Sequence, residues 1–95
     1  MYGTVARMRV KPGALEELWR LAAEEETQIA GMVAQYVYRM DADPGELYLV
    51  VIFTSREAYR ANAESPEQHA RYEQMLRLLE GPPEWHDGEL VFPPD

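Results

Sequence analysis

The chain has 95 residues, of which 17 are acidic and nine basic, and it carries a net charge of −8 with no cysteine. That length suits one folded unit over residues 1–95, and an apolar fraction of 46% excludes a disordered chain. The charge opposes phosphate backbones and anionic lipid, so no nucleic-acid or membrane partner is expected, and the missing thiols exclude disulfides and thiolate chemistry.

The basic residues are scattered, from Arg7, Arg9 and Lys11 to Arg71 and Arg77, and make no stripe. The start of the chain, Met1 to Arg7, lacks the apolar run of a signal peptide, and no stretch reaches the length of a membrane span. A soluble protein of the cytoplasm is the expectation.

Residues 2–10 read as a strand, stopped by Lys11-Pro12-Gly13. From Ala14 the period changes to that of a helix: Leu15, Leu18, Trp19, Ala22 and Ile29 recur on one stripe, with Glu16, Glu17 and Glu24 to Glu26 on the wet side. That helix is expected to end near Ala30-Gly31. Met32 to Met40 form a second strand, with Tyr36 and Tyr38 on one face and Val33, Val37 and Arg39 on the other. Pro44-Gly45, within the acidic turn Asp41 to Glu46, suits type II geometry. The third strand, Leu47 to Phe53, is apolar on both faces and is expected to pair antiparallel with the second.

Ser55 can cap a short helix from Arg56 to about Asn62. Ser65-Pro66-Glu67-Gln68 supplies a cap, a first-turn proline and a capping-box Gln. The helix that follows carries Tyr72, Met75, Leu76 and Leu79 on one stripe, and Gly81 with Pro82-Pro83 ends it. A last strand over Glu84 to Phe92, interrupted by Asp87-Gly88, completes the order β-α-β-β-α-β. This is the α+β, ferredoxin-like arrangement: a four-stranded antiparallel sheet with its helices on one face.

The double-sided third strand then poses a problem. Leu47, Leu49, Val51 and Phe53 oppose Tyr48, Val50 and Ile52, and the helices can cover only one set. A domain of this size is also marginally stable alone. A second copy of the chain, packed sheet to sheet, is the simplest cover, so a homodimer is the expected partner.

Several strings carry a resemblance. Val10-Lys11-Pro12-Gly13 opens the first helix, and Tyr36-Val37-Tyr38-Arg39 leads to the turn with Pro44-Gly45. The run Val51 to Tyr59 joins the third strand to the short helix, and Ser65-Pro66-Glu67 begins the long one. Together, from about Thr4 to Val91, they resemble the antibiotic biosynthesis monooxygenase family of dimeric α+β barrels. The resemblance implies two subunits packed sheet to sheet, a last strand reaching toward the neighbour, and a pocket in each subunit between its sheet and helices. It also implies a fold shared by oxygenases without metal or flavin, haem-degrading oxygenases and many members of unknown activity. The haem-degrading branch carries an Asn on the first strand, a Trp on the short helix and a His on the long one. Here those positions fall near Ala6 and at Asn62 and Tyr72, and none matches, so haem is not the expected substrate.

Cofactor-free oxygenation needs a phenol or hydroquinone that ionises and passes an electron to O₂, held in an apolar pocket with a few hydrogen-bonding groups. Asn62, His69 and Tyr72 are the candidate catalytic residues, the last two being neighbours on one helix face. Tyr36, Ala6 and Met8 are candidates for the substrate-binding wall. No cofactor and no metal is expected. The competing readings are structural: a stripe residue for Tyr72, a solvated His69, a helix-ending Asn62, and sheet packing for Tyr36 and Tyr38. Trp85 is expected at the subunit interface, with His86 on the opposite facing. His86, Asp87 and Glu89 alternate across two faces and make a poor metal site. Arg7 and Arg9 share a face with Val5 and need acidic partners, for which Asp87 or Glu89 are the candidates. The leading expectation is a monooxygenase acting on a small aromatic or quinol-like compound. Its alternative is a non-catalytic ligand-binding or interaction domain on the same scaffold.

Overall fold

The computed structural model describes residues 1–94, so the last residue of the expected unit, Asp95, lies outside the described residues. The elements follow the order β1 (Tyr2–Arg9), α1 (Leu15–Gln28), β2 (Met32–Arg39), β3 (Glu46–Phe53), α2 (Arg56–Ala63), α3 (Pro66–Leu76) and β4 (Glu84–Glu89). Four strands form one sheet in the order β2-β3-β1-β4, every neighbour pair antiparallel. The ferredoxin-like α+β fold expected from the sequence is the fold observed.

Strand alternation divides the sheet into two faces. The rows Val37–Leu49–Ala6–Trp85 and Gln35–Val51–Thr4–Asp87 run across one face. The rows Tyr36–Val50–Val5–His86 and Tyr38–Tyr48–Arg7–Glu84 run across the other. Helices cover only the first. The core therefore gathers there: Ala6, Met8, Leu47, Leu49, Val51 and Phe53 from the sheet pack with Leu18, Ile29 and Leu79. On the uncovered face Val5, Tyr36 and Tyr38 are 43%, 55% and 60% exposed.

Local chemistry explains where the elements stop, and in places departs from the pattern. The first helix ends at Gln28, earlier than Ala30-Gly31, because the chain turns at Gly31 with φ +84 so that β2 can start. A Cβ at Gly31 would sit 2.9 Å from the Ala58 Cβ, so α2 packs directly on this turn. Trp19 lies on the rim of its stripe, largely exposed, while Leu18 is buried. A bulge between Met32 and Ala34 takes Val33 out of the ladder, so Val33 does not share the face of Val37. The turn before β3 closes through Glu46 N donating to Asp43 O at 2.9 Å, but Gly45 keeps a negative φ and the type II expectation fails. The reason is the Asp43 side chain, whose Oδ1 accepts from Gly45 N at 3.1 Å in an Asx turn.

The third helix stops at Leu76, not beyond Leu79; Leu79 instead bridges to Val10 and is buried. Asp87-Gly88 does not interrupt the last strand, since both residues pair with β1, and the strand ends at Glu89. Arg7 and Arg9 find partners other than those expected. Arg7 donates to Glu46 at 2.8 Å, and Arg9 to Asp43 at 2.5 Å and Glu80 at 3.4 Å. Arg7 lies directly across the ladder from Tyr48, next to Glu46, whereas Asp87 and Glu89 point to the helix-covered face. Among the described residues, no helix is long and apolar enough to cross a membrane.

Candidate functional site

Between the covered face of the sheet and the three helices lies a cleft of about 430 Å³. Its floor is Leu49, Val51, Phe53 and Thr4; Ile29 and Met32 close one end. Tyr59 and Asn62 enter from α2, His69, Tyr72 and Met75 from α3, and Trp85 and Asp87 from β4. The volume lies within the range that encloses a small organic ligand, about 300–1,000 Å³.

Two serine caps mount the helical wall. Ser55 Oγ accepts from Ala58 N at 3.0 Å and Ser65 Oγ accepts from Gln68 N at 3.1 Å, each satisfying a first-turn amide. Ser65 Oγ also donates to Asn62 O at 2.8 Å, which ties the end of α2 to the start of α3. Once α2 is held, Tyr59 packs edge-on against Phe53 at 5.4 Å and Tyr2 at 5.3 Å. At the opposite side Tyr72 meets Trp85, ring centroids 6.1 Å apart and tilted. The cleft is thus aromatic on both flanks.

Its polar groups are placed unevenly. Tyr59 Oη donates to Asp87 Oδ1 at 2.7 Å across the gap between α2 and β4. Burial first, then the hydrogen bond to Asp87 and its charge, push the Tyr59 phenol well above its usual value. The phenol therefore stays protonated and donating at any physiological pH. Beside it Thr4 is only 5% exposed and its hydroxyl has no hydrogen-bond partner. Thr4 lies near enough to Tyr59 to pull that pKa slightly back down, without reaching hydrogen-bond geometry. Glu25 projects from α1 at the apolar end, between Leu49 and Met75; burial raises its pKa, and the nearby Arg71 pulls the other way.

The residues singled out in the sequence are distributed as follows. Asn62, His69 and Tyr72 all border this one cleft. Asn62 Nδ2 is engaged, donating to Gln68 Oε1 at 3.2 Å, an oxygen that also accepts from Arg71 at 3.3 Å. The His69 side chain is 74% exposed at the rim, with Nε2 2.7 Å from Glu73 Oε1 one turn along α3. Ala6 and Met8 point to the covered face but are packed into the core beneath the cleft, Ala6 with no exposed surface. Tyr36 stands on the uncovered face, opposite Val50, and does not border the cleft, because its parity along β2 is that of Tyr38 and not of Val37. Trp85 shares the row of Ala6, lines the cleft and stays 40% exposed. His86 turns to the other face and pairs with Glu84 at 2.8 Å, away from Asp87 and Glu89. Among the described residues, no three His, Asp or Glu gather as they would around a metal ion.

The sequence marks Gln68 only as a capping-box residue, and Thr4, Glu25 and Tyr59 as no part of a site. A signal for Thr4 does exist in the ladder: Thr4 and Asp87 are direct cross-strand partners, which parity along β1 and β4 alone can place on the face of Ala6.

The model of the antibiotic biosynthesis monooxygenase family matches residues 1–74, which takes in every element as far as α3 and leaves β4 outside. No curated protein matches the chain. Solved structures share its fold. An antibiotic biosynthesis monooxygenase is 16% identical, with 96% of this chain and 99% of that one covered and a TM-score of 0.73. A conserved protein from Methanosarcina mazei Go1 is 19% identical over 93% of this chain and 90% of its own, with a TM-score of 0.76. The Rv0793 protein from Mycobacterium tuberculosis is 24% identical over 95% and 94%, with a TM-score of 0.74. These likenesses concern the fold; the family follows from the matched sequence. With residues 1–74 of 95 matched, the chain belongs to the antibiotic biosynthesis monooxygenase family.

Proposed function

We propose that the protein is a cofactor-independent monooxygenase that oxidises a small phenol or hydroquinone in the cleft between sheet and helices. The observation that carries this reading is the cleft itself: a space of about 430 Å³ with Phe53 and Tyr59 on one side, Tyr72 and Trp85 on the other, and Leu49 and Val51 on its floor. Flat aromatic ligands fit between such rings. In the reaction the ionised phenol gives one electron to O₂, and the phenoxyl radical and superoxide combine at a ring carbon as a peroxide. Loss of the ring proton and cleavage of the O–O bond leave a new carbonyl and release hydroxide. The substrate supplies all four electrons, one oxygen atom enters the quinone, and the other leaves as water. Tyr72 is suited to donate to the developing peroxide, His69 to take up the phenolic proton from the rim, and Asn62 to orient the substrate oxygen.

Oxygen uptake on a panel of phenols and hydroquinones tests the reading, with quinone formation followed optically. Tyr72→Phe is expected to slow turnover by about tenfold, the value of one hydrogen bond to a charged group. Uptake equal to that of the buffer alone for every compound, or uptake unchanged in both Tyr72→Phe and His69→Ala, ends it. A binding domain without catalysis is the second reading. The engaged state of the two polar candidates favours it: the Asn62 amide is held by Gln68 and the His69 ring by Glu73.

The active form is a homodimer closed through the uncovered face, in which Val5, Tyr36, Tyr38, Tyr48 and Val50 meet their copies. The support is physical: this face presents aromatic and β-branched side chains to water, and no element of the described chain lies over it.

A further inference from the structure

We infer that Thr4, Tyr59 and Asp87 form a hydroxyl-reading end of the cleft, which selects neutral hydroxylated aromatics and rejects aromatic carboxylates. The inference rests on the cleft being the ligand site, and it assigns three residues to which the oxygenase reading above gives no role.

A buried hydroxyl without a partner is costly, on the order of 1–3 kcal/mol, and proteins leave few of them. Thr4 Oγ1 is such a group, on the floor of the cleft between sheet and helices. Directly across the ladder stands Asp87, one carboxylate oxygen already accepting from Tyr59 at 2.7 Å and the other with no hydrogen bond among the described residues. Tyr59, kept protonated by its burial, fixes that carboxylate toward the cleft. Thr4 thus offers a hydroxyl able to donate, and Asp87 an oxygen able to accept, side by side. A ligand hydroxyl fills both requirements at once: its oxygen accepts from Thr4 while its hydrogen goes to Asp87. An ether oxygen can do only the first, and a bare ring neither.

Charge sharpens the selection. The carboxyl groups bordering the cleft are Asp87 and Glu25. His69 at the rim lies against Glu73, and Arg71, whose guanidinium donates to Gln68, does not line the cleft. A benzoate entering this space meets like charge, in a chain of net charge −8.

Binding is measured on the full chain by calorimetry, without O₂, using hydroquinone, 1,4-dimethoxybenzene and 4-hydroxybenzoate as probes. Wild type is expected to bind hydroquinone at least about tenfold more tightly than either of the others. Thr4→Val is expected to weaken hydroquinone by about tenfold, to leave dimethoxybenzene unchanged, and to keep or raise the melting temperature, since an unpartnered hydroxyl is removed. Asp87→Asn, which keeps an acceptor oxygen but loses the charge, is expected to weaken hydroquinone and to relieve the exclusion of 4-hydroxybenzoate. The inference is overturned if hydroquinone fails to bind at millimolar concentration, if Thr4→Val and Asp87→Asn bind it as wild type does, or if wild type takes the benzoate equally well. Discriminating binding with no oxygen uptake leaves this inference in place and removes only the oxygenase reading.

Discussion

The two faces of the sheet are made from the same strands and have opposite fates. On one, Leu47, Leu49, Val51 and Phe53 lie under helices and are almost fully buried. On the other, Tyr48, Val50 and Ile52, one residue out of step, lie half-exposed with Val5 and Tyr36. In composition the two sets of β3 differ little. The difference lies in what the rest of the chain can reach: three helices suffice for one layer, and within that layer they leave a cleft over Thr4 and Phe53. The covered face thus holds both the core and the cleft, and the bare face presents apolar side chains to water.

The contrast can be broken from the covered side. Phe53→Ala removes a ring that anchors the core and packs against Tyr59, and it is expected to cost about 3–5 kcal/mol in urea or thermal unfolding. On the bare face, Val50→Glu is expected to leave the fold intact and convert dimer to monomer in sedimentation velocity at micromolar concentration. A wild-type protein already monomeric there would show the bare face to be stable in water. A smaller effect is expected at the mounts of the helical layer. Ser55→Ala or Ser65→Ala is expected to lower stability by about 1 kcal/mol each and to weaken ligand binding, while sedimentation stays unchanged.

The finest test is a difference between pH values. Burial raises the Glu25 pKa in the folded chain above its ordinary 4.5, so its stabilising contribution is complete below that value. It is lost as pH rises through the folded pKa. Glu25→Gln is therefore expected to gain stability over wild type between pH 4 and pH 7, read as a melting-temperature difference that widens with pH. A difference constant over that range would mean that the carboxyl is solvated and does not belong to the cleft.

The fold was legible in the sequence because its signals are local and repeat: the period change at Ala14, the caps at Ser55 and Ser65, the parity of β3. Breaks in that regularity were not. Val33 left its face through a bulge, and the Asx turn at Asp43 overrode what Pro44-Gly45 suggested. The site was legible in part. Asn62, His69 and Tyr72 border one cleft because α2 and α3 pack side by side; helical spacing joined only His69 and Tyr72 beforehand. Tyr36 was misplaced although its parity was known, because which parity meets the helices depends on register with β1 and β3. Asp87 was weighed as a metal ligand and as a partner for arginine, yet its partner is Tyr59, 28 residues earlier, and only packing of α2 on the sheet brings them together.

The wall that holds Trp85 and Asp87 is β4, paired with β1 alone and exposed at all six of its residues. A wall hung from one neighbour is the part of the cleft with the least to hold it shut. If the cleft takes a guest, the fastening of this outer ribbon is expected to accompany it, read as slowed amide deuteration from Glu84 to Glu89. Selectivity would then depend on an edge strand, and tuning how readily that ribbon peels would change the rate of admission without altering any residue that touches the guest.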